Sequence, residues 1–79
     1  DGVWVVLGSE SYENARTVIG LPEIPDQERG QYTTLPGLLM LRLGRLPRVG
    51  DRIELESDWE IEVAAVEGRR VLQVLVRHT

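Results

Sequence analysis

Cysteine, lysine and phenylalanine are missing from these 79 residues, and histidine occurs once. Without cysteine there is no disulfide, no thiolate metal cage and no thiol nucleophile. The single histidine, His78, stands next to the end of the sequence, where it reads as solvent-exposed and idle, so neither a zinc cage nor the commonest general base is available. No two of the eight glycines lie closer than six residues, which excludes the Gly-rich phosphate cradles. No serine stands in a nucleophile elbow. The longest unbroken apolar run, residues 3–7, has five residues against the ~20 that a membrane-spanning helix needs. All nine basic residues are arginine and thirteen are acidic, for a net charge of −4. A chain of that sign repels phosphate backbones, so nucleic acid is not an expected partner.

What is present is ordinary globular material. The 42% hydrophobic content suits one small folded unit over residues 1–79, near the size at which an apolar core just offsets conformational entropy. A start at Asp1, with no signal-peptide pattern, gives the expectation of a domain cut from a longer parent.

The stretch from Gln31 to Glu56 organises the rest. Thr34 is a plausible N-cap, with Pro36 in the first turn, and Leu35, Leu38, Leu39 and Leu43 recur on one helical face. Met40 and Leu41 widen that face, so the helix is expected to be covered on more than one side. Gly44 suits the left-handed position after the last turn, Leu46 can fold back onto the helix, and Pro47 stops it. Residues 3–7 read as an interior strand covered on both faces. Ser9 and Ser11 compete to cap a first helix that presents Tyr12, Ala15 and Ile19 inward and ends at Gly20. The segment from Leu21 to Gln31 reads as a surface loop pinned by Leu21 and Ile24.

Three strands follow. Opposed residues of an antiparallel pair share a face, so Ile53 and Leu55 meet Trp59, Ile61 or Val63 only at even number sums, which predicts a three- or five-residue connection around Glu56 to Asp58. In the next hairpin, a Glu67-Gly68 turn puts Leu72, Val74 and Val76 opposite Val63, Ile61 and Trp59 on the core face. Val71 and Leu75 are then left outward, as a patch for a partner or dimer mate or as ordinary scattered apolar surface. The predicted fold is an α+β sandwich in the order β-α-α-β-β-β, two helices on one face of a mainly antiparallel sheet.

Candidate chemistry is sparse. Glu54, Glu60 and Glu62 converge on one hairpin and could chelate a hard divalent cation, or could form a solvated face that deters edge pairing. Arg42, Arg45 and Arg48 surround the helix end, where they suit the dipole and Asp51, or could meet an anion or lipid headgroup. Trp4 and Trp59 read as core aromatics. The rival reading stacks a flat ligand on Trp59, with Arg45 and Arg48 meeting its phosphates.

Taken together, the run from Tyr32 to Asp51, YTTLPGLLMLRLGRLPRVGD, the Trp59-Glu60-Ile61-Glu62-Val63 strand and Glu67-Gly68-Arg69-Arg70-Val71 resemble the CorC/HlyC transporter-associated domain. Gly2, Trp4 and the Gly8-Ser9 step extend the similarity over nearly the whole chain. The resemblance implies a C-terminal accessory domain on the cytoplasmic face of a bacterial membrane protein. Parents of two kinds are implied: hemolysin-like or magnesium/cobalt efflux proteins with CBS domains, and cation/proton antiporters. The implied role is non-catalytic modulation of ion transport, with the CBS pair and transmembrane region of the parent as partners and no membrane insertion by the domain itself. A fold shared with a subdomain of FAD-binding oxidoreductases implies the alternative of flavin or adenine-nucleotide binding, and divalent-cation sensing is a further one. Pro36, Leu72 and Leu75 depart from the usual family pattern.

Overall fold

The computed structural model describes residues 2–79, in the order β1 (Gly2–Leu7), α1 (Tyr12–Ile19), α2 (Leu35–Leu43), β2 (Arg52–Leu55), β3 (Trp59–Glu67) and β4 (Arg70–His78). The four strands form one antiparallel sheet in the order β1-β4-β3-β2. Both helices pack on one of its faces, as the α+β reading expects.

Local chemistry fixes the helices. The Thr34 hydroxyl accepts from the Gly37 N–H at 3.1 Å, and Gly44, at φ +73, ends α2 with its N–H on the Met40 carbonyl. For α1 the competition between two serines resolves in favour of Ser11, whose Oγ accepts from the Asn14 N–H. Leu35, Leu38 and Leu39 are fully buried and meet Ile61, Val63, Val74 and Val76 from the sheet, so one leucine face and the middle of two central strands make the core. Met40 and Leu41 do not join it. They remain exposed, because the sheet covers α2 on one side and no second layer covers the other. Leu46 is exposed as well, and the buried residue after the helix is Pro47.

The first strand is a sheet edge, not an interior strand. It pairs only with β4, Val6 is buried and Trp4 packs against the core, while Val3, Val5 and Leu7 point to solvent at 60–63% exposure. Continuous apolar sequence here marks one buried face and one open one. The β2–β3 hairpin matches its expected parity, with Ile53 on Ile61 and Leu55 on Trp59 across the three residues Glu56–Asp58. That tight turn places Ser57 and Asp58 at φ +61 and +66, left-handed backbone that costs a side-chain-bearing residue energy.

The β3–β4 hairpin differs from expectation. Its turn is Gly68-Arg69, with Gly68 at φ +61, so Glu67 pairs with Arg70 and Val66 with Val71. Moving a two-residue turn by one residue shifts the register by two and keeps every face, so Val74 now lies opposite Val63 and Val76 opposite Ile61, and the paired irregularities around Ala65 exchange inward and outward residues only at the turn end. The burial pattern records that exchange: Val71 is buried, Leu72 and Gln73 are both exposed, and Val74 and Val76 are buried again. Val71 is therefore a core residue, and Leu72 lies outside. Gly8 sits against this irregular stretch with its N–H on the Leu72 carbonyl at 2.8 Å, and a Cβ there would lie 1.9 Å from the Val71 carbonyl oxygen.

Candidate functional site

The face of the sheet opposite the helices has no covering layer among the described residues. Cross-strand rows run across it from β1 to β2. One row reads Val5, Leu75, Glu62, Arg52, and its neighbour reads Val3, Arg77, Glu60, Glu54. Each row begins apolar at the β1 edge and ends charged at the β2 edge. Leu75 lies here, half-buried, as the sequence predicts, whereas Val71, the other expected contact residue, faces the core.

The charged half is internally neutralised. One Nη1 of Arg77 donates to Glu60 at 3.0 Å and also to Glu62, and Arg52 approaches Glu60 at 3.9 Å. The bond to Glu62 first, and that to Glu60 with it, holds the Arg77 pKa above its ordinary value. Glu54, Glu60 and Glu62 do come together, with Glu54 directly opposite Glu60. A guanidinium occupies the place between Glu60 and Glu62 that a cation would need, and no group of three acidic or histidine residues among those described is arranged to hold a metal.

Arg42, Arg45 and Arg48 separate. Arg45 forms a bidentate pair with Asp51 at 2.7 and 2.9 Å, and the Arg48 N–H donates to the same carboxylate at 2.7 Å. Those bonds, the one from Arg45 first, lower the Asp51 pKa to about 2. The clasp folds the 44–51 turn under β2, where the Gly50 N–H reaches the Val63 carbonyl and the Val63 N–H reaches that of Asp51. Arg42 instead grips Glu28 at 2.7 and 3.0 Å, tying α2 to the preceding loop and lowering the Glu28 pKa. Glu28 in turn accepts from the Tyr32 hydroxyl, whose pKa burial and that carboxylate push up to about 12. Tyr32 packs edge-on against Tyr12, which donates to the Pro22 carbonyl at 2.7 Å and whose pKa burial also raises. This tyrosine pair is invisible to sequence reasoning, because twenty residues and a loop of no fixed period separate its members.

Trp59 does not offer a stacking platform. Trp4 lies 5.6 Å from its ring, and His78 stacks on it at 4.1 Å with 21° between planes. His78 is thus occupied rather than idle: β3–β4 pairing sets it opposite Trp59, and its Nε2 meets the Ser57 carbonyl at 3.0 Å. Trp59 is thus enclosed and the Arg45 guanidinium is committed to Asp51, while Arg48 joins that clasp through its backbone N–H.

Open depressions lie in three places, and one of them, of about 300 Å³, is lined by Glu54, Asp58, Trp59, Glu60 and Arg77. Another, of about 450 Å³, lies over the β4 irregularity between Gly8, Ser9, Pro36, Arg69, Arg70 and Leu72. The third, of about 280 Å³, runs between the β1 edge and α1, along Val5, Leu7, Ala15, Val18 and Ile19. No helix among the described residues is long and apolar enough to cross a membrane.

The Transporter associated domain family, CorC_HlyC, matches residues 1–79. Among curated proteins, the chain is 32% identical over 76 residues to the UPF0053 protein YegH of Escherichia coli, covering 96% of this chain and 14% of that protein. It is 31% identical over 81 residues to a Rickettsia canadensis protein named "Possible hemolysin C", covering 98% and 27%. It is 29% identical over 73 residues to the polyamine export protein of Salmonella typhimurium, covering 92% and 16%. The chain therefore spans about a quarter or less of the length of these relatives. Among solved structures, the transporter associated domain of a Xylella fastidiosa hemolysin, determined in complex with Mg++ and Mn++, aligns over 100% of this chain and 90% of its own with a TM-score of 0.81 and 28% identity. The corresponding domain from Nitrosomonas europaea aligns over 100% and 89% with a TM-score of 0.81 and 26% identity. By sequence over its whole length and by fold, the chain belongs to the CorC_HlyC transporter-associated domain family.

Proposed function

We propose that this chain is a non-catalytic accessory domain that modulates ion or small-cation transport by a membrane-embedded parent, acting from the cytoplasmic face through contact with the parent's other domains. One observation carries the reading: the candidate residues Arg42, Arg45, Glu60 and Glu62 are tied up in structural ion pairs, while the apolar half of the open sheet face, Val3, Val5, Leu7 and Leu75, has no covering layer among the described residues. A surface of that kind serves docking rather than bond-making. The hemolysin and polyamine-export names of the relatives supply the transport context. The transmembrane region and a CBS pair are the partners this reading names. The test removes residues 1–79 from the parent and measures cation flux and assembly. Altered flux, with the membrane region still inserted, supports the reading, and unchanged flux and assembly reject it.

A second reading has one specific observation in its favour, the Mg++ and Mn++ of the Xylella domain. It makes this chain a divalent-cation sensor through Glu54, Glu60 and Glu62. Binding linkage then requires a melting temperature that rises with Mg2+ or Mn2+. The Arg77 and Arg52 pairs favour flat melting curves, and flat curves end this reading.

A further inference from the structure

β1 is an open edge of unusual character. Its six residues, Gly2–Leu7, include no ionisable side chain and no proline, the two devices by which sheets normally blunt an edge. Antiparallel alternation places the backbone groups. The Gly8 N–H bonds to the Leu72 carbonyl, so the even-numbered residues of β1 face β4, and Val3, Val5 and Leu7 direct their N–H groups away from the sheet. The same three residues expose their side chains on the uncovered face. On the helical side of the edge, the groove against α1 is rimmed by Val18, which is 82% exposed. Four of the nine large apolar residues that remain exposed thus gather around one strand edge.

We propose that this edge is a self-association site: two copies of the chain pair β1 with β1, antiparallel about a twofold axis at Val5, joining two four-stranded sheets into one of eight. Charge selects a second copy as the occupant. Each copy carries net −4, so copies meet without repulsion only where neither presents charge, and β1 is such a place. The nearest ionisable residues in the sequence, Asp1 before the strand and Glu10 after it, both lie outside the Val3–Leu7 pairing in this arrangement.

Parity selects the register. Continuous faces require paired residue numbers with an even sum. A sum of ten sets Val5 on Val5 and Val3 on Leu7, which engages all three outward-directed N–H groups. A sum of eight would leave Leu7 unpaired and spend a position on Gly2. In the sum-of-ten register, the outward valines and leucines of the two copies form one apolar stripe, and the grooves beside Val18 of the two copies are brought to either side of the seam. With four residues more than half exposed on each copy, the doubled contact falls below the ~1,200 Å² at which standard specific interfaces begin, so the association is weak and concentration-dependent.

Sedimentation of the 79-residue chain from micromolar to millimolar concentration reads the state, and single-cysteine variants read the register, since the chain has no cysteine of its own. The expected result is a reversible monomer–dimer equilibrium, abolished in Val5→Lys without change in its melting curve. Under mild oxidation, Val5→Cys forms a self-crosslinked dimer about tenfold or more faster than the exposed control Val49→Cys, as pairing raises the local thiol concentration. Val3→Cys crosslinks efficiently only when mixed with Leu7→Cys. A chain monomeric at millimolar concentration, a Val5→Lys protein that still dimerises, or equal crosslinking of the Val5 and Val49 variants overturns the proposal.

Discussion

The two edges of this sheet solve the same problem in opposite ways. β2 is four residues long, carries Arg52 and Glu54 on its open face, and is held at one end by the Arg45–Asp51 clasp and at the other by a turn in strained backbone. β1 is six residues long, carries no charge, and is held at its end by a glycine pressed against the β4 backbone. Both edges pack equivalent apolar side chains inward, Trp4 and Val6 on one, Ile53 and Leu55 on the other. The core therefore does not account for the difference. It lies in what each edge shows to the outside: β2 is built to stay alone, and β1 is left available.

Gly8→Ala should be the most damaging change that separates the two. Its Cβ would collide with the Val71 carbonyl oxygen, and backbone cannot give way as a flexible side chain could, so about 3 kcal/mol or more of stability should be lost, read from urea melts. The β1 edge should loosen first, with β2 amides retaining their protection. Full stability in Gly8→Ala would show that the glycine lock is not what fixes β1.

The corresponding break at β2 is electrostatic and pH-dependent. The Asp51 carboxylate is ionised in the folded protein down to about pH 2, whereas in the unfolded chain it protonates near its ordinary value of 3.8. Its contribution is therefore present above about pH 4 and is lost as pH falls from there toward 2. Asp51→Asn should be less stable at neutral pH and should flatten the acid limb of the stability curve over that window, with Arg45→Gln doing the same. At the alkaline end the sign reverses in origin. Tyr12 and Tyr32 hold their protons in the folded state beyond the ordinary value of 10, so stability should fall as pH rises past 10, and Tyr32→Phe should reduce that fall.

Smaller changes sharpen the contrast. Replacing Arg52 and Glu54 together with valine removes the charges from the β2 edge and should give it a weak tendency to associate, seen as species larger than a dimer at high concentration. Ser57→Gly relieves one left-handed residue in the β2–β3 turn and should stabilise by about 0.5 kcal/mol, without any effect on association.

How much of this was legible from sequence follows the same division. The helices were, because caps and stops are local: Thr34, Gly44, Ser11 and Gly20 act within one turn of themselves. The β2–β3 parity was too, since it admits only a three- or five-residue connection, of which the three-residue one forms. The β3–β4 hairpin was not. Displacing the turn by one residue leaves the faces unchanged and the irregularity near Ala65 exchanges them only at the turn end, so Val74 and Val76 fall inward under either reading and only Val71 and Leu72 reveal the exchange. The status of β1 was hidden for a related reason, because a strand apolar at both parities looks the same whether its second face is covered by protein or open. Of the candidate site, the convergence of Glu54, Glu60 and Glu62 on one hairpin and the Arg45–Asp51 pair were legible, but Arg42 turns away to Glu28, and the pairing of Arg77 with Glu62 depends on cross-strand neighbours that pattern alone does not align.

The asymmetry of the two edges is tested most directly by amide hydrogen exchange at rising protein concentration. The Val3 and Val5 amides point away from β4, and those of Arg52 and Glu54 point away from β3 by the same alternation. The account predicts that the β1 pair gains protection as concentration increases while the β2 pair exchanges at an unchanged rate. Protection gained at Arg52 and Glu54, or at neither edge, would contradict it.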